Sequence, residues 1–256
     1  MWFRRKGDRL GGYGHVHKHT DGWFSWEAAA IWDFLLRHQR ASGVRGDLLE
    51  IGVWHGKSGV MLAMAADEGE TAILADIKIR PEELKRTFSR VPKQAWDATH
   101  FVECDSKKLL DRPELEGRSF RWIHIDTEHT APALRADLDQ AHKVLADDGI
   151  VCLDDIFLWL YPQLTDEMYR YARAHPDRFS LFLVGYNKAF LARPGKVRAY
   201  MEACHNGLID EIERVGVRSC LARTARMGEY QGFGIGPRGA HLRHHGLRHN
   251  RDQFDY

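Results

Sequence analysis

Two hydrophobic periods alternate through the middle of the chain. Short apolar runs at 48–52, 71–76, 99–104, 120–125 and 150–153 have strand length, and stretches near helical spacing separate them. The intervening helices are expected near 58–67, from Pro81 onward, in a short piece after 104, and near 132–146, the last ended by Asp147-Asp148-Gly149. Five strands joined by helical crossovers imply an α/β class: a doubly wound, mostly parallel sheet with helices on both faces and ligands beyond the carboxyl ends of the strands. Then the pattern changes. A helix at 162–174 leads to apolar runs at 179–184 and 189–192 across Gly185-Tyr186-Asn187, which reads as a hairpin and so an antiparallel edge. A dinucleotide-binding fold with six parallel strands has no such ending.

The two ends are less patterned. The first two dozen residues read as an irregular arm, in which His15, His17 and His19 alternate and would share one side of an extended segment. No neighbouring ligand completes a known metal spacing there, so surface histidines are the simpler reading. Ser25 can cap a helix running to about Arg40, with Ile31, Trp32, Leu35 and Leu36 on its apolar face. A second helical stretch is expected at about 195–215, and the remainder is rich in Gly, His and Arg. His241, His244, His245 and His249 lie in that remainder, read as a loosely ordered tail or, more sharply, a flap over the substrate. Three parts result: an arm and helix at 1–42, expected as a lid or oligomer contact; a core at 43–194; and a helix with its tail at 195–256.

Composition narrows the partners. The 256 residues suffice for one α/β domain with appendages, and 37 Lys and Arg nearly balance 36 Asp and Glu. No basic field points to nucleic acid, and no apolar run of membrane length points to insertion, so a cytoplasmic protein with a small-molecule partner, present as a homo-oligomer, is expected. Cys104, Cys152, Cys204 and Cys220 are far apart and look like buried thiols, neither a zinc set nor a disulfide framework.

Candidate chemistry gathers at the predicted strand ends. Leu48 to Ser58 is an apolar run, a glycine turn through Gly52 and Gly56, and a helix start, whose backbone can approach a ligand closely. Asp76 ends the second strand, where a carboxylate can accept ribose hydroxyls. Asp105 and Ser106 follow the third strand and could meet a nucleoside, although Asp105 fits a helix cap equally well. Asp126 closes the fourth strand and Asp154 with Asp155 the fifth, so three carboxylates converge at neighbouring strand ends. Such acids repel unless a hard cation joins them; oxygen ligands at an open site suit Mg²⁺, with Mn²⁺ or Ca²⁺ as substitutes. His129, three residues after Asp126, is placed to accept a proton. Gly-Lys-Ser at 56–58 suggests a P-loop, but only Val53, Trp54 and His55 intervene between the glycines where four residues are needed, so a P-loop-like NTPase fits poorly.

Glu50, Gly52, Gly56 and Ser58 resemble the ExGxxxGxS loop of S-adenosylmethionine (SAM)-dependent O-methyltransferases of the catechol type. Asp126-Thr127-Glu128-His129 and Leu153-Asp154-Asp155 resemble the metal-dependent bacterial subset that includes macrolide-sugar O-methyltransferases and cephalosporin-hydroxylase-like proteins. The resemblance covers about 21–192 and implies a Rossmann-like class I methyltransferase sheet. It implies SAM contacts at Glu50, Gly52, Gly56, Ser58 and Asp76, with Asp105, Ser106 and Asp126 along the same cleft. It also implies Mg²⁺ at Asp126, Asp154 and Asp155, and His129 as general base. The bulky Val53, Trp54 and His55 depart from the general GxGxG loop. The implied acceptor carries vicinal hydroxyls: a sugar of a natural product or polysaccharide, or alternatively a catechol. A non-catalytic SAM-binding scaffold is the rival of a different class. Trp23, Phe24, Trp159 and Tyr161 either line the acceptor pocket or simply pack; Lys188, just after the hairpin turn, could reach the site, but an exposed lysine is the expectation.

Overall fold

A computed structural model describes residues 9–224 and 231–238. In chain order the elements are α1 (Arg9–His19), α2 (Trp26–Ala41), β1 (Asp47–Ile51), α3 (Gly59–Ala65), β2 (Ala72–Asp76), α4 (Pro81–Phe88), α5 (Lys93–Asp97) and β3 (Thr99–Glu103). There follow β4 (Phe120–Ile125), α6 (Ala131–Val144), β5 (Leu145–Leu153), α7 (Pro162–Ala174), β6 (Ser180–Gly185), β7 (Lys188–Ala192), α8 (Val197–Ala203), α9 (Ile209–Glu213), β8 (Ser219–Arg223) and β9 (Phe233–Pro237). The described strands form one sheet in the order β3-β2-β1-β4-β5-β7-β6-β9-β8. It is parallel from β3 through β5, and the β6–β7 hairpin adds antiparallel pairings. Its turn places Tyr186 and Asn187 at φ 52° and 62°, the pair of left-handed residues that a tight hairpin requires.

β4 shows how the sheet is covered. Trp122 packs with Trp32, Phe182 and Phe190 on one face, under α2, α3, α8 and α9. Ile123 and Ile125 point the other way, into a core with Leu138, Met168 and Phe179 under α6 and α7. Because both faces are buried, central strands are apolar throughout. Ser25 caps α2 as its sequence suggests, its hydroxyl accepting from the Ala28 amide at 3.1 Å.

Four expectations need correction. The N-terminal arm is not irregular: α1 buries Leu10, Tyr13 and Val16, which recur every third residue on one helical face. A helix also separates the alternating histidines. The His15 and His19 rings lie 4.4 Å apart, tilted by 48°, on its exposed side, whereas His17 turns inward to the Phe24 carbonyl at 2.9 Å, so the three do not converge. The polar stretch 145–149, expected to end a helix, belongs to β5; Leu145 pairs with Phe120 across a bulge where a Cβ on Gly149 would lie 2.9 Å from the Phe120 carbonyl oxygen. Finally, β8 and β9 extend the sheet through residues expected to be a loose tail, β9 pairing in parallel with β6 at Leu183 and Val184. The predicted 195–215 helix is seen as α8 and α9 joined by a π turn, Cys204–Leu208. His241, His244, His245 and His249 lie outside the described residues. The four cysteines are free, but only Cys152 and Cys204 are buried, Cys104 and Cys220 being partly exposed, and among the described residues no helix is long and apolar enough to cross a membrane.

Candidate active site

The site begins where β1 meets β4. Gly52 has φ +96°, and a Cβ there would fall 1.6 Å from the Asp126 carbonyl oxygen, so only glycine permits these two strand ends to close. Backbone bonds interlock the ends: the Asp126 amide donates to Ile51 O at 2.8 Å and the Asp154 amide to Ile125 O at 3.0 Å. Carboxylates from β4 and β5 are thereby brought beside the glycine loop.

Asp76 shapes that loop from the neighbouring strand. One of its oxygens accepts from the Val53 and Trp54 amides at 2.8 and 3.0 Å, and the other from the Lys78 amide at 2.9 Å. This clamp holds Trp54 at φ 50°, an unusual conformation for a non-glycine residue. Two carboxylate oxygens carry about four acceptor positions, so Asp76 keeps capacity for a hydroxyl. A cleft of about 380 Å³ opens over the same strand ends, lined by Gly52, Asp76, Asp105, Ser106 and Asp126 together with Ile77 and Arg80. Asp105 also caps the turn that follows it, accepting from the Lys107 amide at 2.9 Å. Gly56 and Ser58 border the other side of the loop; Ser58 precedes α3 without capping it and faces a smaller pocket that reaches Asp126 and Asp154. Glu50 is fully buried below, bonded through Oε1 to His124 Nδ1 at 2.8 Å, with its second oxygen unpartnered.

The acids and His129 divide into two groups. Asp126, His129 and Asp155 each offer one ligand-capable atom, all within 4.8 Å of one another. His129 Nε2 lies 2.9 Å from Asp155 Oδ2 and 3.8 Å from Asp126 Oδ1. The Tyr161 ring stacks on the imidazole at 4.2 Å, and Gln163 donates to the His129 backbone carbonyl at 2.7 Å, so the stack holds the ring and the amide holds the backbone that carries it. Asp155 itself has φ 56°. Asp154, next in the chain, faces inward: one oxygen is bonded to the Lys188 ammonium and the other lies 3.4 Å from His124 Nε2.

Lys188 is therefore not the exposed lysine expected. It begins a strand covered on both faces, is 2% exposed, and its ammonium also stands 5.6 Å from the Phe24 ring. A buried row runs Glu50, His124, Asp154, Lys188. Lys188 and His124 were hidden in the sequence by their strand context; the available signal was a Lys and a His set among apolar neighbours that the sheet buries.

Electrostatics follow the geometry. Loss of water around Asp126, then the charge of Asp154, pushes its carboxyl up to about 8, against the opposing pull of His124 and Lys188. Burial and Asp154 raise Asp155 in the same direction, with His129 opposing. Burial alone would raise Asp154, but Lys188 and His124 hold it well below the usual carboxylate range. Burial would likewise lower His124; hydrogen bonds to Asp154 and Glu50 outweigh it and lift the imidazole to about 9. Two acids whose carboxyls burial and the charge of Asp154 push upward, with an imidazole in reach, form a donor set that suits a divalent cation.

Residues 49–156 match the family model described as a methyltransferase domain. That segment is similar to a methyltransferase domain. Solved structures share its fold at low identity. MycE methyltransferase from the mycinamycin biosynthetic pathway, in complex with Mg, SAH and mycinamycin VI, aligns at 16% identity and TM-score 0.53 over 74% of this chain and 55% of its own. Apo CalS11, described as a TDP-rhamnose 3'-O-methyltransferase of calicheamicin biosynthesis, aligns at 15% and 0.50 over 73% and 94%. An O-methyltransferase from Bacillus cereus in complex with SAH aligns at 16% and 0.50 over 74% and 91%. At these identities the likeness speaks to the fold. No curated protein matches significantly in sequence. The glycine loop, the cleft and the acid cluster all lie between residues 50 and 155, inside the matched segment.

Proposed function

We propose that the protein is a SAM-dependent O-methyltransferase that requires a divalent cation, Mg²⁺ or Mn²⁺, and acts on a sugar hydroxyl of a natural product or polysaccharide. The observation that carries this reading is the convergence of Asp126, His129 and Asp155 beside the Gly52 loop. SAM, in the cleft bordered by Gly52, Asp76, Asp105 and Ser106, supplies the methyl group on a sulfonium centre. A cation held by Asp126 and Asp155 supplies Lewis acidity, with Asp154 as the third acid of the set. Asp154, bonded to Lys188, would lend its charge to such a cation from beside the cluster.

The chain's own groups complete the chemistry. His129 Nε2 takes the proton of the acceptor hydroxyl, and Asp155 at 2.9 Å stabilises the imidazolium that results. Tyr161 stacks on the ring and Gln163 anchors the backbone of His129, so the base is oriented before the acceptor arrives. Asp76 rigidifies the loop, and Glu50 is the buried wall beneath it, 2.5 Å from where a Cβ on Gly59 would stand. A vicinal diol suits such a site because its two oxygens bring one hydroxyl to the base and the other to the cation. The relatives' names support a sugar: one is a TDP-rhamnose 3'-O-methyltransferase and another was solved with Mg, SAH and mycinamycin VI.

Labelled SAM, an acceptor panel of glycosides and catechols, and chelation followed by metal re-addition test the reading. Turnover should vanish with EDTA and return with Mg²⁺ or Mn²⁺. His129→Ala should reduce it by about 10²-fold or more while SAH affinity stays nearly constant. Metal-independent transfer, or loss of SAH binding in His129→Ala, sinks the assignment.

A further inference from the structure

Besides the glycine loop and the end of β2, the cleft of about 380 Å³ is lined by two short segments, 104–107 after β3 and 126–128 after β4. The second also carries the acid cluster, since Thr127 follows Asp126 and precedes His129 by two residues. The β1–β4 ladder closes with the Asp126 amide on Ile51 O, so Thr127 and Glu128 depend on other partners for their positions.

One helix supplies a partner to each segment. Asp137 and Gln140, three residues apart and so on one face of α6, are both buried. Asp137 Oδ2 accepts from the Thr127 hydroxyl at 2.6 Å, and the Gln140 side-chain amide donates to the Ser106 backbone carbonyl at 2.8 Å. Nearer solvent the Lys107 ammonium lies 3.8 Å from Glu128 Oε2, but both side chains are more than half exposed, and such a surface pair adds little.

As architecture alone these two polar residues are unfavourable. Asp137 is fully buried, burial pushes its carboxyl up against the pull of the Thr127 hydroxyl, and Asp137 Oδ1 and Gln140 Oε1 have no bonded partner among the described residues. Apolar side chains beside Leu134, Leu138 and Ala141 on this helix would pack without that penalty. What the polar pair does, and an apolar pair cannot, is fix a hydroxyl and a carbonyl of two cleft-lining residues. The two tethers also differ in reach. Gln140 holds a segment of the cleft alone, whereas Asp137 holds the residue that adjoins Asp126, and so bears on the cleft and on the acid cluster together.

Resting on the SAM-cleft reading, we propose that Asp137 and Gln140 are positioning residues: Gln140 sets the nucleoside wall through Ser106, and Asp137, through Thr127, sets that wall and the placement of Asp126 and His129 in one contact. Neither lines the cleft itself, so each acts through the residue it holds.

The test uses the full-length protein and three ligands: SAH; 5′-methylthioadenosine, which keeps the nucleoside but lacks the amino-acid end; and Mn²⁺ followed at saturating SAH. Gln140→Leu should weaken SAH and 5′-methylthioadenosine by the same factor, about five- to ten-fold for one lost tether, and leave Mn²⁺ affinity within about two-fold. Asp137→Leu should weaken all three ligands by about five-fold or more, and Asp137→Asn, whose amide oxygen still accepts from Thr127, should restore most of the loss. Thr127→Val should reproduce Asp137→Leu, and the double variant should be no worse than either single one, because both remove the same contact. If Asp137→Leu does not fold, Thr127→Val carries the same expectation for all three ligands. Unchanged SAH affinity in the variants, unequal losses for SAH and 5′-methylthioadenosine, a Mn²⁺ loss as large in Gln140→Leu as in the Asp137 or Thr127 variants, or additive losses in the double variant overturns the proposal. A parent that binds neither nucleoside refutes the SAM reading on which the proposal rests, whereas a parent that binds both beside insensitive variants refutes the tethers alone.

Discussion

Replacing Lys188 by Met isolates what the buried ion pair contributes. Methionine keeps the length and apolar stem that pack beside Phe24 but removes the charge facing Asp154. Lys188 is 2% exposed and Asp154 has 11% of its side chain exposed, so solvent cannot replace the lost partner. Removing one member of such a pair costs about 3–5 kcal/mol, and at about 2–4 °C per kcal/mol for a chain this size the melting temperature should fall by roughly 6–20 °C. The pH dependence gives the sign. Lys188 depresses the Asp154 pKa, so its stabilisation is present above the unfolded carboxylate value and is lost only as pH falls through the lower native one. In Lys188→Met burial is less opposed and the carboxyl rises, so the deficit relative to the parent is full near pH 8 and shrinks as pH approaches about 5. Mg²⁺ should also rescue the variant more than the parent, because it supplies the missing positive charge. Differential scanning fluorimetry across pH, with and without Mg²⁺, reads all three. A deficit under about 1 kcal/mol, or one constant from pH 5 to 8, refutes the claim that this pair neutralises the inner half of the site.

The glycine loop makes a steric prediction. Gly52→Ala must place a Cβ where the Asp126 carbonyl oxygen stands and should cost at least about 2 kcal/mol along with SAH binding, whereas Gly43→Ala, left-handed but with nothing within 4 Å, should cost about 1–2 kcal/mol and spare binding; equal losses would refute the close approach. Asp126, raised to about 8, carries a proton at neutral pH that a cation must displace. Metal titration in two buffers of different ionisation heat should show proton release at pH 7 that disappears in Asp126→Asn, and metal affinity should rise with pH up to about 8; no release in the parent contradicts the raised pKa. Before metal binds, the folded state retains this proton where the unfolded chain has lost it, so the metal-free protein should lose stability as pH rises from about 4 to about 8, measurable by urea unfolding.

The core was legible because each strand from β1 to β5 is a short apolar run closed by a polar residue, and because the Gly185-Tyr186-Asn187 turn announces the hairpin. The three acids at two strand ends follow from that topology alone: the neighbouring parallel strands β4 and β5 bring Asp126, Asp154 and Asp155 to one edge. What the pattern could not show is which way adjacent acids turn. Asp154 points inward and Asp155 outward because they are consecutive, and Asp155 takes a left-handed backbone at the strand's end. α1 was obscured by Gly11, Gly12 and Gly14, poor helix formers that here let the helix lie close to its neighbours, a Cβ on Gly12 being 3.3 Å from Met64 Cε. β9 was obscured by the alternation Phe233-Gly234-Ile235-Gly236, in which only every second residue has a side chain to bury.

Manganese binding to the SAH-loaded protein, followed by electron paramagnetic resonance, tests the central claim most directly. The parent should bind one Mn²⁺ per chain in the site of Asp126 and Asp155, displaceable by Mg²⁺. The Asp126→Asn/Asp155→Asn double variant should lose it while still binding SAH. No bound Mn²⁺ in the parent, or the same binding in the double variant, would contradict a cation-assisted methyl transfer at these strand ends.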